Sequence, residues 1–210
     1  MKHFEKIIWL CFLLPAGVQA QPFEGKITYT NSYKSKMPNV TDEQFTAMMG
    51  TRQEYFIKGE NFKSVTNGSF FQWQLYINKD NKLYNKVAAN DAILWMDATV
   101  NADEVLKSEI RKGSITVLGH VCDELILSCR SGTQKYYFNP AIAVDPAVYA
   151  NFKFGNWYDF ISRTKALPLK MIVETPQFTI TSEAIAIEKS VIDPGLFTLP
   201  AGVAIEKSPY

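Results

Sequence analysis

The sequence predicts a mainly β fold, an antiparallel meander accompanied by a few short helices. Three observations carry this expectation. Apolar and polar residues alternate with period two over most of the chain, polar turn clusters separate the alternating runs, and helix signals are confined to a few short stretches. A chain of 210 residues with 14 Phe, 10 Tyr and 4 Trp can build one substantial core without disulfide or metal staples.

The chain opens with a basic start, Met1-Lys-His-Phe-Glu-Lys6. An apolar run over residues 7–14 and a small-residue exit, Pro15-Ala-Gly-Val-Gln-Ala20, follow. This is the pattern of a secretory signal peptide, with cleavage expected after Ala20. The apolar run is far shorter than the ~20 residues a membrane-spanning helix needs. The expected organisation is therefore a leader over residues 1–20 and a single domain over 21–210, exported to the periplasm. Cys11 sits inside the apolar run, without the small-residue context of a lipidated cysteine, so no lipid anchor is expected. Removing Lys2, Lys6 and Glu5 from 22 basic and 21 acidic residues leaves 20 of each. A neutral domain without charge runs excludes nucleic acid and anionic membrane surfaces as main partners.

Ile27, Tyr29 and Tyr33 begin the first strand. Phe71, Trp73, Leu75 and Ile77 fall on one face of the next clear run, with Gln72, Gln74 and Tyr76 on the other. Asn78-Lys-Asp-Asn81 supplies a turn, and residues 82–87 return. A strand over 93–96 follows Asn90-Asp91. Residues 103–112 have a composition that suits a helix, but their setting favours strand. Residues 115–129 read as one long strand, and Arg130-Ser-Gly-Thr133 turns it into 134–138. Leu167, Leu169, Met171 and Val173 alternate with Lys170 and Glu174; Pro176 ends that strand, and 178–188 make another.

Among the helices, Thr41-Asp-Glu-Gln44 forms a capping box that opens a helix through Phe45, Met48 and Met49 and stops at Gly50. Asp145-Pro146 places a cap before a first-turn proline. Residues 156–163 suit a third short helix.

Reactive chemistry is sparse. Beyond the leader the only histidine is His120, so a catalytic triad or a histidine metal site has one position to use. His120 and Cys122 share a strand face, but two ligands fall short of a zinc site. The carboxylate pairs Asp42/Glu43, Asp103/Glu104 and Asp123/Glu124 are sequence neighbours, which on a strand face opposite ways. Phosphate-loop, nucleophile-elbow and metalloprotease motifs are lacking. Cys122 and Cys129 would stand roughly 23 Å apart on one extended strand, beyond disulfide reach, so two buried thiols are expected. The chain is expected to be no enzyme and to use neither metal nor cofactor.

What remains is apolar surface. Tyr29, Phe71, Trp73, Leu75, Leu169 and Met171 would line one concave face if the sheet curls, and Phe45, Met48 and Met49 would cover its mouth. Methionine suits surfaces that accept varied apolar shapes, and a curled sheet of this size can enclose one apolar ligand. The alternative is a packed core closed by a helix.

The end of the chain reads Phe197-Thr-Leu-Pro200-Ala-Gly202-Val203, after Asp193-Pro-Gly-Leu. With Val117-Leu-Gly119-His-Val-Cys122 and Ala166-Leu-Pro168-Leu-Lys170, this resembles an exported Bacteroidetes family of unknown function. That family is related to the lipoprotein-localisation carriers (LolA/LolB-like) over roughly residues 23–205. The resemblance implies a curved antiparallel half-barrel with a helical lid over an apolar cavity. It implies a periplasmic binder or carrier of lipid or another hydrophobic ligand, with another envelope protein as a further partner and without stable membrane insertion. For the arginine that holds the carriers' lid closed, the candidates are Arg52 and Arg163. On this fold Gly119 would permit a bulge that curls the sheet, and Pro200 and Gly202 would end strand pairing near an edge. The alternative function is an envelope protein-interaction module with a packed core and no ligand. A small outer-membrane barrel ranks below both, because several strands are shorter than such a barrel needs and helices interrupt them.

Overall fold

The computed structural model describes residues 21–209; the leader expected over residues 1–20, its cleavage point and Tyr210 lie outside the described residues. Among the described residues, twelve strands form one open sheet. They are β1 (Gly25–Ser35), β2 (Arg52–Lys58), β3 (Asn61–Thr66), β4 (Phe71–Ile77), β5 (Lys82–Val87), β6 (Ile93–Asp97), β7 (Val105–Val117), β8 (His120–Cys129), β9 (Thr133–Ala143), β10 (Ala166–Glu174), β11 (Phe178–Lys189) and β12 (Ile205–Lys207). Two short α-helices, α1 (Asp42–Met49) and α2 (Trp157–Thr164), and a few 3-10 turns complete the described structure. No helix among the described residues is long and apolar enough to cross a membrane.

The sheet order is β12-β6-β5-β4-β3-β2-β1-β11-β10-β9-β8-β7. From the central β1 the chain runs outward through successive hairpins to β6. It then crosses to the opposite edge as β7 and returns through β8, β9 and β10 to β11, which pairs with β1. All these ladders are antiparallel, as local alternation and short turns dictate. The pairing of β12 with β6 is parallel, opposite Ile93 to Trp95, which corrects the purely antiparallel reading. Parallel pairing needs a crossover, and residues 190–204 supply it by passing over the sheet's outer face.

Two other expectations change. Residues 115–129 are not one strand: Leu118 (φ 49°) and Gly119 (φ 79°) form a tight turn between β7 and β8. Positive φ at both central residues is the type I′ signature that matches strand twist, so Gly119 makes a hairpin and not a mid-strand bulge. The bulge lies earlier, in the register shift between Arg111 and Ile115. β2 and β3 were missed because Arg52, Glu54, Lys58 and Lys63 interrupt their apolar residues. Residues 105–112 are strand, and this long edge is studded with Lys107, Glu109, Arg111 and Lys112, which discourage pairing with another chain.

The inner face of the sheet is the one that meets α2. Ile27, Tyr55, Phe62, Tyr76, Leu83, Leu125, Leu127, Tyr136 and Phe138 from seven strands join Tyr149, Phe152, Phe160 and Ile161 in one apolar cluster. Phe152 packs its ring 4.4 Å from Tyr76 and 5.2 Å from Phe62, while Phe160 stacks on Tyr136 at 4.4 Å. The segment entering α2 is therefore wedged between the two wings of the sheet. Hydrogen bonds fix it there: Tyr149 Oη donates to the Gly59 carbonyl (2.9 Å), and Asn78 Nδ2 to the Val148 carbonyl (3.2 Å).

The outer face carries a second cluster. Leu75, Tyr84 and Ile93 pack with Ile192 and Phe197, flanked by Trp73, Ile77, Trp95, Leu196, Leu199 and Val203. β4 is thus buried on both sides, with Leu75 and Tyr76 each fully inaccessible.

Candidate functional site

A cavity of about 530 Å³ lies between the inner face and the segment leading into α2. From β1 to β4 it is lined by Tyr29, Tyr33, Gln53, Tyr55, Phe62, Ser64 and Gln74. From β9 to β11 and their connections come Gln134, Tyr136, Pro168, Met171, Val173, Thr175, Phe178 and Ile180. Phe152, Phe154, Gly155 and Trp157 line it from the helical side, with Met49, Asp103 and Ser131 completing it. The volume falls in the ~300–1,000 Å³ range of small-molecule sites.

Local structure explains each wall. On β1 the period-two spacing turns Tyr29, Asn31 and Tyr33 to one side; Tyr29 Oη donates to the Pro168 carbonyl (2.8 Å), which ties β1 to β10. Pro168 has no N–H to give the ladder, and the register of β10 shifts on both sides of it. That irregularity lets Pro168 and Met171, three residues apart, line the same cavity. α1 starts with the reciprocal capping box of Thr41 and Gln44, bonded at 3.2 and 2.9 Å. It ends at Gly50, whose φ of 92° and close approach to the Gly68 backbone leave no room for a Cβ. Pinned at both ends, α1 places Met49 on the cavity and Phe45 against Tyr33 and Phe178, with ring centroids 5.4 and 4.9 Å away.

A polar row crosses this otherwise apolar face. Asn31 Nδ2 donates to Gln53 Oε1 (3.4 Å), Gln53 Nε2 to Ser64 Oγ (2.8 Å), and Gln74 Nε2 to Asn85 Oδ1 (2.9 Å). Burial raises the phenols: Tyr33 is pushed up to about 12, and Tyr55 and Tyr136 well above the ordinary value. These tyrosines are neutral hydrogen-bonding groups at physiological pH. Asp103 is the one charged residue on the lining among the described residues, and Ser131 satisfies it through its backbone N–H (3.0 Å) and its hydroxyl (2.7 Å).

The residues expected from sequence are divided by the structure. Tyr29, Met49 and Met171 line the cavity. Leu169 is fully buried in the inner core, behind the lining, and Met48 is 40% exposed. Phe45 backs the wall through Tyr33 and Phe178. Trp73 and Leu75 belong to the outer cluster beneath the C-terminal segment, whereas Phe71 belongs to neither core cluster and the register of β4 against β5 shifts between it and Trp73. The alternation in β4 was read at the right spacing but assigned to the wrong face, because both faces are covered. Gln74 and Tyr76, read as the polar side, face the cavity and core. Tyr33, Tyr55, Tyr136 and Trp157 were missed; the alternation of Tyr29 with Tyr33 was the available signal for the first of them.

Arg52 pairs with Glu54 at 3.2 Å and Arg163 with Asp159 at 3.8 Å, each on its own element and neither on the cavity lining. His120, at the start of β8, is also absent from the lining. Cys122 and Cys129 are free, buried thiols in the inner core, and burial raises both, Cys129 to about 11. No cluster of three His, Cys, Asp or Glu suited to a metal occurs among the described residues.

The molecule is thus a mainly β protein with a partly open cavity between its sheet and a short helical segment. No family model matches the chain, and no curated protein matches it. Among solved structures it is similar to PNGF-II in the P21 and C2 space groups, at 16% identity in both and TM-scores of 0.48 and 0.47. These matches cover 89% of this chain but only 32% and 31% of the other, so the chain spans about a third of the solved chains it matches.

Proposed function

We propose that this chain is an exported, non-enzymatic binder or carrier of a lipid or other hydrophobic ligand, acting in the periplasm. The reading rests on one observation above all, the 530 Å³ cavity walled by aromatic, methionine and aliphatic side chains. Filling such a space with a dry apolar guest recovers contacts that its lining lacks when empty. The half-barrel and lid architecture expected from the carrier-like resemblance is part of this proposal. Strands from both wings, β1–β4 and β9–β11, face one common space, and Phe152, Phe154 and Trp157 cap it. On this reading the lid is the segment entering α2, while α1 guards one end through Met49. A binding role over turnover is supported by the lining chemistry: neutral phenols, side-chain amides and a carboxylate already held by Ser131.

The test is uptake of a neutral fluorescent probe, Nile red, by the purified protein. Saturable binding at one site is expected, reduced at least tenfold by Met171→Glu, which places a charge on the apolar wall without touching the outer core. Absence of saturable binding would overturn the proposal.

A second reading has its own observation. Leu106, Ile110 and Val121 on the β7–β8 hairpin are 63%, 45% and 59% exposed, which favours docking of an envelope protein at that edge. In that case Nile red would not bind saturably, and Leu106→Ser with Val121→Ser would abolish capture of the partner.

A further inference from the structure

Resting on the carrier reading, we propose that the guest is a cationic amphiphile, an apolar chain ending in an ammonium group. Asp103 is the anchor for that head.

The inference starts from charge on the lining. Among the described residues Asp103 carries the only charge there, and no lysine, arginine or histidine shares the wall with it. A carboxylate in a largely apolar cavity is costly unless something balances it. Ser131 supplies neutral donors only, its backbone N–H to Oδ1 and its hydroxyl to Oδ2. An ionised carboxylate has about four acceptor positions, so both oxygens keep capacity for a guest. The neighbouring arginines are engaged elsewhere: Arg130, next to Ser131, pairs with Glu104, and Arg163 in α2 pairs with Asp159. Lys153 is exposed and lies off the lining.

The anchor stands where a guest can meet it. Asp103 is half-buried and Phe154 is 39% exposed, and both residues line the cavity. Hydrogen bonds stitch the loop before β7 to the aromatic segment entering α2. The Lys153 and Phe154 N–H groups both donate to the Ala98 carbonyl (2.8 and 3.2 Å). Asn101 Nδ2 donates to the Asp103 carbonyl (2.7 Å) and to Asn156 Oδ1. Gly155 and Asn156, each at a φ of 62°, turn the chain between Phe154 and Trp157, which line the same cavity as Asp103.

A carboxylate beside aromatic rings is the chemistry that receives an ammonium head: the one contributes charge, the others the electron-rich faces that attract cations. Met171, Val173, Phe178 and Ile180, on β10 and β11, give the chain its apolar wall. An anionic head would meet Asp103 without a counter-charge, and a hydroxyl head would gain neither attraction.

The experiment is displacement of bound Nile red from the purified protein at neutral pH by decyltrimethylammonium, decanol and decanoate. All three carry the same ten-carbon chain, and each is kept below its micelle-forming concentration. The cation should bind at least about fivefold more tightly than the alcohol, and the anion should be weakest. Asp103→Asn keeps the shape and an acceptor for Ser131 but removes the charge. It should bring cation and alcohol within about twofold of each other. Glu206→Gln, which removes the same charge from the exposed edge strand β12, should leave the natural ratio intact. A cation no tighter than the alcohol, a preference that survives Asp103→Asn, or an equal loss in both variants would overturn the inference and leave the carrier reading standing. Failure of Nile red itself to bind would remove the carrier reading, and this inference with it. Should Asp103→Asn fail to fold, the ratios measured on the natural chain decide the matter.

Discussion

On β4, Trp73 and Gln74 point to opposite faces and meet different chemistry. Trp73 lies in the outer cluster with Lys63 Nζ 5.3 Å from its ring centroid, whereas Gln74 faces the cavity and bonds Asn85. Trp73→Ala is therefore expected to lower stability by roughly 1–3 kcal/mol, less than a fully buried tryptophan, because the residue is only half-buried. It should leave Nile red affinity unchanged within about twofold, since the ring is on the far side of the sheet. Denaturant unfolding together with probe titration checks this, and a selective loss of uptake would place Trp73 on the ligand path after all. Strand spacing made Trp73 and Leu75 legible as a facing pair. Which side would be inner was not legible, because that depends on residues 190–203, more than a hundred positions away.

At the scale of elements, capping and turn chemistry were the most readable features. The Thr41–Gln44 box, the Asp145 cap before Pro146 and the stop at Gly50 all act within a few residues, so local sequence determines them. β2, β3 and β12 were hidden for the opposite reason: their strand character comes from neighbours in the sheet. The C-terminal crossover depends on Glu24 in the same non-local way. The Glu24 carboxylate accepts from Lys58 Nζ (2.7 Å) and from the Ile192 backbone N–H (2.8 Å), pinning the crossover to the start of β1. These bonds, led by that from Lys58, hold its pKa below the ordinary value of 4.5. A depressed carboxylate stabilises the folded state above its unfolded pKa, and that contribution disappears as pH falls through the lower folded value. Amide exchange in residues 190–203, corrected for intrinsic rate, should therefore accelerate as pH drops below about 4.5 in the natural chain. Glu24→Gln should exchange faster already near neutral pH, with a flatter dependence. Identical profiles for the two proteins would contradict this role.

At the scale of the molecule, the mainly β class followed from alternation alone, whereas the cavity did not. Its walls come from strands that are distant in sequence, and the segment over it was read only as a cap and a short helix. Phe152, Trp157 and Phe160 reveal their role only once the two wings of the sheet meet on either side of them. The sheet itself stays open, with β12 and β7 as its edges among the described residues, so the helical segment must supply the wall that the sheet lacks. Under the proposed function, this cavity holds a guest. Native mass spectrometry of the protein purified without detergent tests it most directly. A population heavier than the bare chain by the mass of one lipid or other hydrophobic guest is expected, released on gentle activation and absent from Met171→Glu. A spectrum with the bare chain alone, unchanged after incubation with Nile red, would contradict it.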